Sequence, residues 1–389
     1  YNIMWSIKHS FMVEYCFGIF RFNFTNDQLL PPNRQMKLLS IVIPGTYIVL
    51  FTVFFHHSLQ TEYYSGMDLL ESVPKFVLMG QYFISAIATT HFLSGKCKRI
   101  IQTLADLDTM LISSASETFY NKSRHEIGKY MIVIVTLHVI NSILDLSTDT
   151  VTRVATIMTL PIYYLENLEM LVFCIFILIL QRRLELINVY LKKFVGDKEN
   201  PNIYVFTVKE RRADTEERFD FIGKPSHNNM KIRELASMYD MLGNICALVN
   251  ETFNLQLFMT LISTFVYVLI AIWSTIYFYR TPDYSSGLFM TIILWCLTII
   301  FTVVMMSLAC ERLLIARNTT KILVNKVIMD YDLPNKMRVQ AKAFMELIEA
   351  WPLQISVYDM FCVDIHLMLK FTSVATTYLI VIIQLSHFI

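Results

Sequence analysis

A chain of 389 residues that is 55% hydrophobic and only 17% charged, with a mean hydropathy of +0.48, has too little charge to cover a soluble domain of its length. Its composition therefore points to an integral membrane protein. A formal net charge of +1 argues against nucleic acid as a partner. The chain opens at Tyr1 rather than Met, so N-terminal sequence is expected to be missing. No cleavable signal is visible, because the first apolar stretch follows the basic positions Lys8, Arg21, Arg34 and Lys37.

Taken in order, seven apolar segments cover residues 38–55, 76–94, 130–144, 154–181, 252–279, 284–310 and 371–389. Six reach the roughly 17 residues that a helix needs to cross the hydrocarbon core. The segment at 130–144 is short and must recruit flanking positions such as Lys129 or Asp145. These segments predict an all-α protein with seven transmembrane helices.

Lys and Arg fix the direction of threading, since basic loops stay in the cytosol. Four lie in the stretch up to Lys37, five in 95–127, twelve in 182–251 and seven in 311–357, against only Arg153 and Arg280 in the alternate loops. Lys75, Lys129 and Lys370 sit at segment edges. The N-terminus is thus expected in the cytosol and the C-terminus outside, the reverse of a G-protein-coupled receptor. None of the seven cysteines falls in an external loop, so no structural disulfide is expected. The sequons at Asn23, Asn121, Asn250 and Asn318 fall on or beside the cytosolic side and read as chance matches.

The cytosolic half has a pattern of its own. Ile100, Leu104, Leu107 and Leu111 recur at helical spacing, as do Leu184, Ile187, Leu191 and Phe194, and then Leu235, Tyr239, Leu242, Ile245 and Val249. Either these stripes pack a helical extension beneath each chain, or they meet across subunits. The resulting organisation has six parts. Residues 1–94 form a cytosolic segment with spans 1–2, and 95–181 a cytosolic helix with spans 3–4. Residues 182–251 form anchor helices with a charged, mobile loop at 206–229, 252–310 spans 5–6, 311–357 further anchor helices, and 358–389 the last span. No nucleotide-binding, metal-binding or catalytic motif occurs, so an enzyme, a cofactor and a metal are not expected.

The last span carries the most specific pattern. Thr377 and Tyr378 are followed by five apolar residues, Leu379, Ile380, Val381, Ile382 and Ile383, and then by Gln384 and Leu385. A Gln at membrane depth must face protein or water. This resembles the C-terminal signature of the insect gustatory receptor family, with Leu385 where that family usually has Phe. Ile232, Arg233, Glu234 and Leu235 through Tyr239, Leu242, Asn250 and Phe253 also resemble the family, as do Phe17, Gly18, Ile19 and Phe20. The resemblance implies a ligand-gated, non-selective cation channel of four subunits with a central pore lined by the last helix. It also implies that the cytosolic helices anchor the subunits to one another and that a ligand pocket lies in the outer half of each bundle. By the motif, Gln384 and Leu385 would form the constriction, and Thr377, Ile380, Val381 and Phe388 would be further pore-lining candidates. A gate of this composition closes by dewetting.

In the outer halves of the spans, aromatic side chains accompany a few polar groups, as a small-molecule pocket requires. They are Gln81 and Tyr82, His138 and Asn141, Tyr163, Tyr164, Glu166 and Asn167, Tyr267, Trp273 and Tyr277, and Trp295. The same residues also suit helix packing or an interfacial belt. Glu166 and Glu169, near the centre of span 4, suit a ligand contact, a hydrated wall or a shared proton with Asn167, His138 or Asn141. The chain is thus expected to be a chemosensory channel in the plasma membrane. It would open to a tastant, bitter or another plant compound, and pass cations without a G protein. The expected assembly is a homotetramer, or a heteromer with related receptors. The alternative is a secondary transporter using Glu166 and Glu169, which internal repeats or helices broken at Pro44 and Pro161 would favour.

Overall fold

The computed structural model describes residues 11–25, 28–61, 66–111, 116–148, 153–196, 206–208, 219–221, 232–280, 286–333 and 335–388. A short helical segment at 11–16 leads into an antiparallel pair, β1 (Asn23–Thr25) and β2 (Gln28–Leu30). Then follow α1 (Arg34–Thr61), α2 (Gly66–Ile87), a π-helical stretch (Ala88–Leu93), α3 (Ser94–Leu111), α4 (Ser116–Thr148) and α5 (Arg153–Gly196). The strands β3 (Phe206–Val208) and β4 (Phe219–Phe221) pair antiparallel, and the rest of 206–229 lies outside the described residues. The chain continues with α6 (Ile232–Arg280), α7 (Ser286–Met329), α8 (Asn335–Ala350), the small hairpin β5 (Ser356–Val357) and β6 (Phe361–Cys362), and α9 (Ile365–Phe388).

The seven spans are α1, α2, α4, α5, α6, α7 and α9. Five described helices are apolar enough and long enough to cross a membrane, within Arg34–His57, Ser72–Leu111, His125–Ser147, Ile232–Ile276 and Met290–Met329, and α9 adds the shorter apolar run Ile365–Val381. α5 completes the set and carries much of the core, with Leu168, Val172, Phe173, Ile177 and Leu180 at 0% exposure. The short segment at 130–144 does recruit its flanks, because α4 runs unbroken over Ser116–Thr148. Pro44 and Pro161, expected as breaks, sit inside continuous helices, as does Pro74.

Three helices outrun the bilayer. α5 and α7 have 44 residues each and α6 has 49. At about 1.5 Å per residue, each is roughly twice as long as the ~30 Å hydrocarbon core. Their inner halves form a cytosolic bundle with α3 and α8. All three apolar stripes read from the sequence are buried there, within their own chain. Only the side chain of Phe194 lies outside the described residues. The stripes therefore do not join subunits: burying them inside one bundle already removes them from water. Polar pairs lock the bundle. Arg183, buried, donates to both carboxylate oxygens of Asp108 at 2.8 and 2.7 Å and to the Ile179 carbonyl. Asn188 donates to the Ala316 carbonyl and accepts from Thr320.

The N-terminal segment is part of this packing. Gly18 turns the chain with φ of +78°, and a Cβ there would meet Ile43 Cβ at 3.1 Å, which accounts for glycine in this turn. Beyond the turn Arg21 is buried at 1% exposure. It donates to Glu14 at 2.7 and 3.0 Å, lies 4.0 Å from Glu169 and stacks over the Phe253 ring. Glu169 accepts from the Ser85 hydroxyl, and the Gln256 amide donates to Ser85 and Thr89. Thr90 accepts the Phe20 backbone N–H. Thr89 and Thr90 lie in the π-helical stretch, whose wider turn carries both inward as buried residues.

At the cytosolic start of α6, the Tyr239 hydroxyl donates to the Trp351 carbonyl and the Trp351 indole donates to Asp240. Burial pushes the Tyr239 phenol up to about 12 against the opposing pull of Arg317, so it stays a donor at neutral pH. The Trp351 ring lies against Gly243, where a Cβ would come within 2.5 Å of Trp351 Cγ. Gly243→Ala is therefore expected to destabilise the fold by about 1–3 kcal/mol, the usual cost of overpacking. The thermal midpoint of the detergent-solubilised protein checks this, and an unchanged midpoint would refute the packing described. Arg21→Met leaves Glu14 and Glu169 buried without their cation. It is expected to cost about 3–5 kcal/mol in the same measurement.

Candidate ligand cavity and last helix

Along one face of α6, Thr260, Ser263, Thr264 and Tyr267 recur at helical spacing and look into a cavity shared with α2, α5 and α7. α5 contributes Tyr163, Glu166, Asn167 and Met170, α2 contributes Pro74 and Leu78, and α7 contributes Ile299 and Thr302. The space inside is about 40 Å³, room for roughly three waters at 10–15 Å³ each. A drug-sized ligand occupies about 300–1,000 Å³, so the helices must spread to admit one.

The polar groups on the wall are unequally occupied. Asn167 donates to the Tyr163 carbonyl and accepts from Thr302 at 2.9 Å. The Thr260 hydroxyl accepts from Gln81 at 3.2 Å, which puts Gln81 just behind the wall. Glu166 has a buried carboxyl oxygen, Oε1, without a hydrogen-bond partner among the described residues. An incoming donor would find its acceptor there.

Beside the cavity lies an aromatic cluster. Tyr163 both lines the cavity and packs on Trp295 at 4.8 Å. His138 packs on Tyr164 at 5.2 Å and on Trp295 at 6.5 Å. Asn141 donates to Thr298 at 2.7 Å, one helical turn before Thr302 on α7. His138 Nδ1 and Asn141 Oδ1 are buried without partners among the described residues.

The residues named from sequence thus fall into three groups. Tyr163, Glu166, Asn167 and Tyr267 line the cavity. Gln81, His138, Asn141, Tyr164 and Trp295 stand behind it or in the adjoining cluster. Tyr82 points elsewhere, its hydroxyl donating to the Phe17 carbonyl at 2.5 Å, and Trp273 is half-buried on α6 away from the lining. The Tyr277 side chain lies outside the described residues. Glu169, one turn from Glu166, turns to Ser85 and Arg21 instead of the cavity. Sequence reasoning missed Thr260, Ser263, Thr264 and Thr302. The spacing of the α6 hydroxyls along one face was the signal that could have found them.

The last helix packs differently from the other spans. Asp364 caps its start by accepting the Leu367 N–H, and Phe371, Ala375 and Leu379 turn toward the chain. Phe265 of α6 contacts Phe371 and Tyr378. Most of the remaining circumference is exposed, including Thr377, Ile380, Val381 and Gln384, while the side chains of Leu385 and Phe388 lie outside the described residues. Ahead of α9, Asn250 and Asn254 accept the N–H groups of Ser356 and Tyr358. They hold a loop with positive φ at Leu353, Tyr358 and Asp359.

The sequence matches the 7tm chemosensory receptor family model over residues 12–386, and the chain belongs to that family. Its fold is similar to that of the insect olfactory receptor OR5 from Machilis hrabei, with a TM-score of 0.68 and 11% identity over 97% of each chain. The same receptor in complex with eugenol matches equally, with a TM-score of 0.68 and 11% identity over 97% of each chain. A search among curated proteins finds no match.

Two substitutions probe the cavity. Ser263→Phe overfills a space of about 40 Å³ and is expected to abolish ligand-induced thermal stabilisation, at an overpacking cost of about 1–3 kcal/mol in the unliganded protein. Glu166→Leu is expected to raise the midpoint of the ligand dose–response about tenfold, the loss of one buried hydrogen-bond acceptor. An unaltered dose–response would remove Glu166 from the site.

Proposed function

We propose that this chain is a ligand-gated, non-selective cation channel and acts as a gustatory receptor, opened by a small-molecule tastant such as a bitter or other plant compound. Four copies of α9 surround a central pore, the assembly sits in the plasma membrane, and no G protein is required. The observation that carries this reading is the exposed face of α9. Thr372, Thr376 and Thr377 satisfy their hydroxyls on the carbonyls of the preceding turn, so lipid is tolerable for them. Gln384 is exposed, and no hydrogen bond to it is found among the described residues. In hydrocarbon that amide costs several kcal/mol, whereas a water-filled pore or a second copy of the helix satisfies it.

Thr377, Ile380, Val381 and Gln384 follow one another at helical spacing, a seam suited to lining a pore, with Leu385 and Phe388 completing it. The gate is Leu385 with Gln384: apolar side chains expel water when closed, and Gln384 turns to the pore on opening. The tastant enters the cavity between α2, α5, α6 and α7 in each subunit, where Glu166 offers an acceptor within an aromatic wall. The motif of Thr377, Tyr378 and Gln384 favours a gustatory over an olfactory role, and the cytosolic helices anchor the tetramer, or a heteromer with related receptors. A transporter working through Glu166 and Glu169 is the weaker reading, since Arg21 and Ser85 already engage Glu169.

Cells expressing this chain alone are expected to give tastant-evoked cation current with G-protein signalling blocked. Leu385→Ala is expected to raise the current leak without ligand. Coupled uptake without channel-like conductance, or a monomer by imaging, would overturn the proposal.

A further inference from the structure

A narrow slot runs between α5 and α7 on the cytosolic side of the membrane core. Leu171, Ile175 and Leu178 face Met305 and Leu308 across it, Tyr130 of α4 closes one side, and its volume is about 50 Å³. At its lower end the slot meets a wider groove of about 360 Å³ between the same two helices, and the two share Gln181 and Arg312. By the threading of α5 and α7, the slot lies at inner-leaflet depth, and Gln181 and Arg312 mark the water boundary.

The mouth carries uncompensated charge. Arg312 is exposed; its hydrogen-bond contact is the Tyr130 hydroxyl at 3.5 Å, with no carboxylate in ion-pair range among the described residues. Lys192 is exposed and lines the same groove. The carboxylate in the groove, Glu185, already meets Arg182 at 3.6 Å and the Gln181 amide at 2.8 Å. Gln181 Oε1 is buried without a hydrogen-bond partner among the described residues, so it lacks a donor.

The geometry points to a binding site for one inner-leaflet anionic phospholipid per subunit. A few methylenes of an acyl chain seat in the apolar slot while the rest of the chain runs along the α5–α7 flank, the phosphate rests on Arg312 and Lys192, and a head-group donor meets Gln181 Oε1. An apolar slot ending in unpaired cations at the cytosolic face complements such a lipid in both polarity and charge. The slot is separate from the cavity around Glu166, so this inference stands apart from the channel reading.

Native mass spectrometry of the full chain in neutral detergent tests it, titrating dioleoylphosphatidylserine against dioleoylphosphatidylcholine. One phosphatidylserine per subunit is expected, held at least tenfold more tightly than phosphatidylcholine. Arg312→Gln should weaken this about tenfold, the loss of a charge-assisted hydrogen bond, while Arg312→Lys retains most of it. Ala309→Phe, which narrows the slot and keeps both cations, should weaken it too, with an unchanged size-exclusion profile. Equal retention of phosphatidylcholine, or undiminished phosphatidylserine binding in Arg312→Gln, would overturn the site. Full displacement by glycerophosphoserine alone would make it a phosphate site rather than a lipid site. Disulfide cross-linking between subunits through Val189→Cys and Ile315→Cys, whether or not phosphatidylserine is added, would show the groove covered by a second copy and would also overturn it.

Discussion

Hydrocarbon offers polar groups no water, so a charge drawn into this bundle is costly unless another part of the chain answers it. The clearest case is Arg21, which comes from before the first span and ends buried beside Glu14, Glu169 and Phe253. Once that cation is in place, the surrounding groups are constrained in turn. Glu169 takes the Ser85 hydroxyl, Gln256 bridges Ser85 and Thr89, and the π-helical stretch turns Thr90 toward the Phe20 backbone. A loose N-terminal leader has thereby become the floor on which α2, α5 and α6 meet.

The cavity stands directly on that floor. Glu166 is one turn from Glu169 on α5, and Thr260 is one turn from Gln256 on α6. Spreading the helices to admit a ligand therefore works against a fixed base rather than a yielding one. α6 also reaches α9 through Phe265 inside the membrane, and the hairpin ahead of α9 through Asn250 and Asn254 below it. Three non-glycine residues with positive φ lie in the loop between α8 and α9. Backbone in sparsely populated regions costs about 1–3 kcal/mol per residue and persists only where neighbours hold it, as Asn254 holds Tyr358.

The cavity and the slot beside Arg312 use opposite chemistry on the same helices. Around Glu166 the wall is hydroxyl-rich, and a spare acceptor is its distinguishing group. Beside α7 the wall is apolar, and a spare cation marks its mouth. A solute that can donate hydrogen bonds suits the first, and an amphipathic anion suits the second.

The membrane class, the number of spans and their direction were all legible in the sequence, because hydropathy and the Lys/Arg bias act on short segments wherever those segments later pack. The apolar stripes were equally legible: periodicity at 3.6 residues says that a face will be buried, though not against what, and the answer here was the same chain. Helix length past the membrane was read only partly, since polar flanks of α5, α6 and α7 give no hydropathy signal. Glu166 and Asn167 stood out in the sequence because a carboxyl or amide at mid-membrane is conspicuous, whereas Thr260, Ser263 and Thr264 did not, as hydroxyls can satisfy themselves on their own helix. What only the tertiary structure decided is which polar groups meet. Arg21 with Glu169, Asn141 with Thr298 and the different partners of Glu166 and Glu169 depend on helix rotation and contacts between distant segments. No local pattern encodes that.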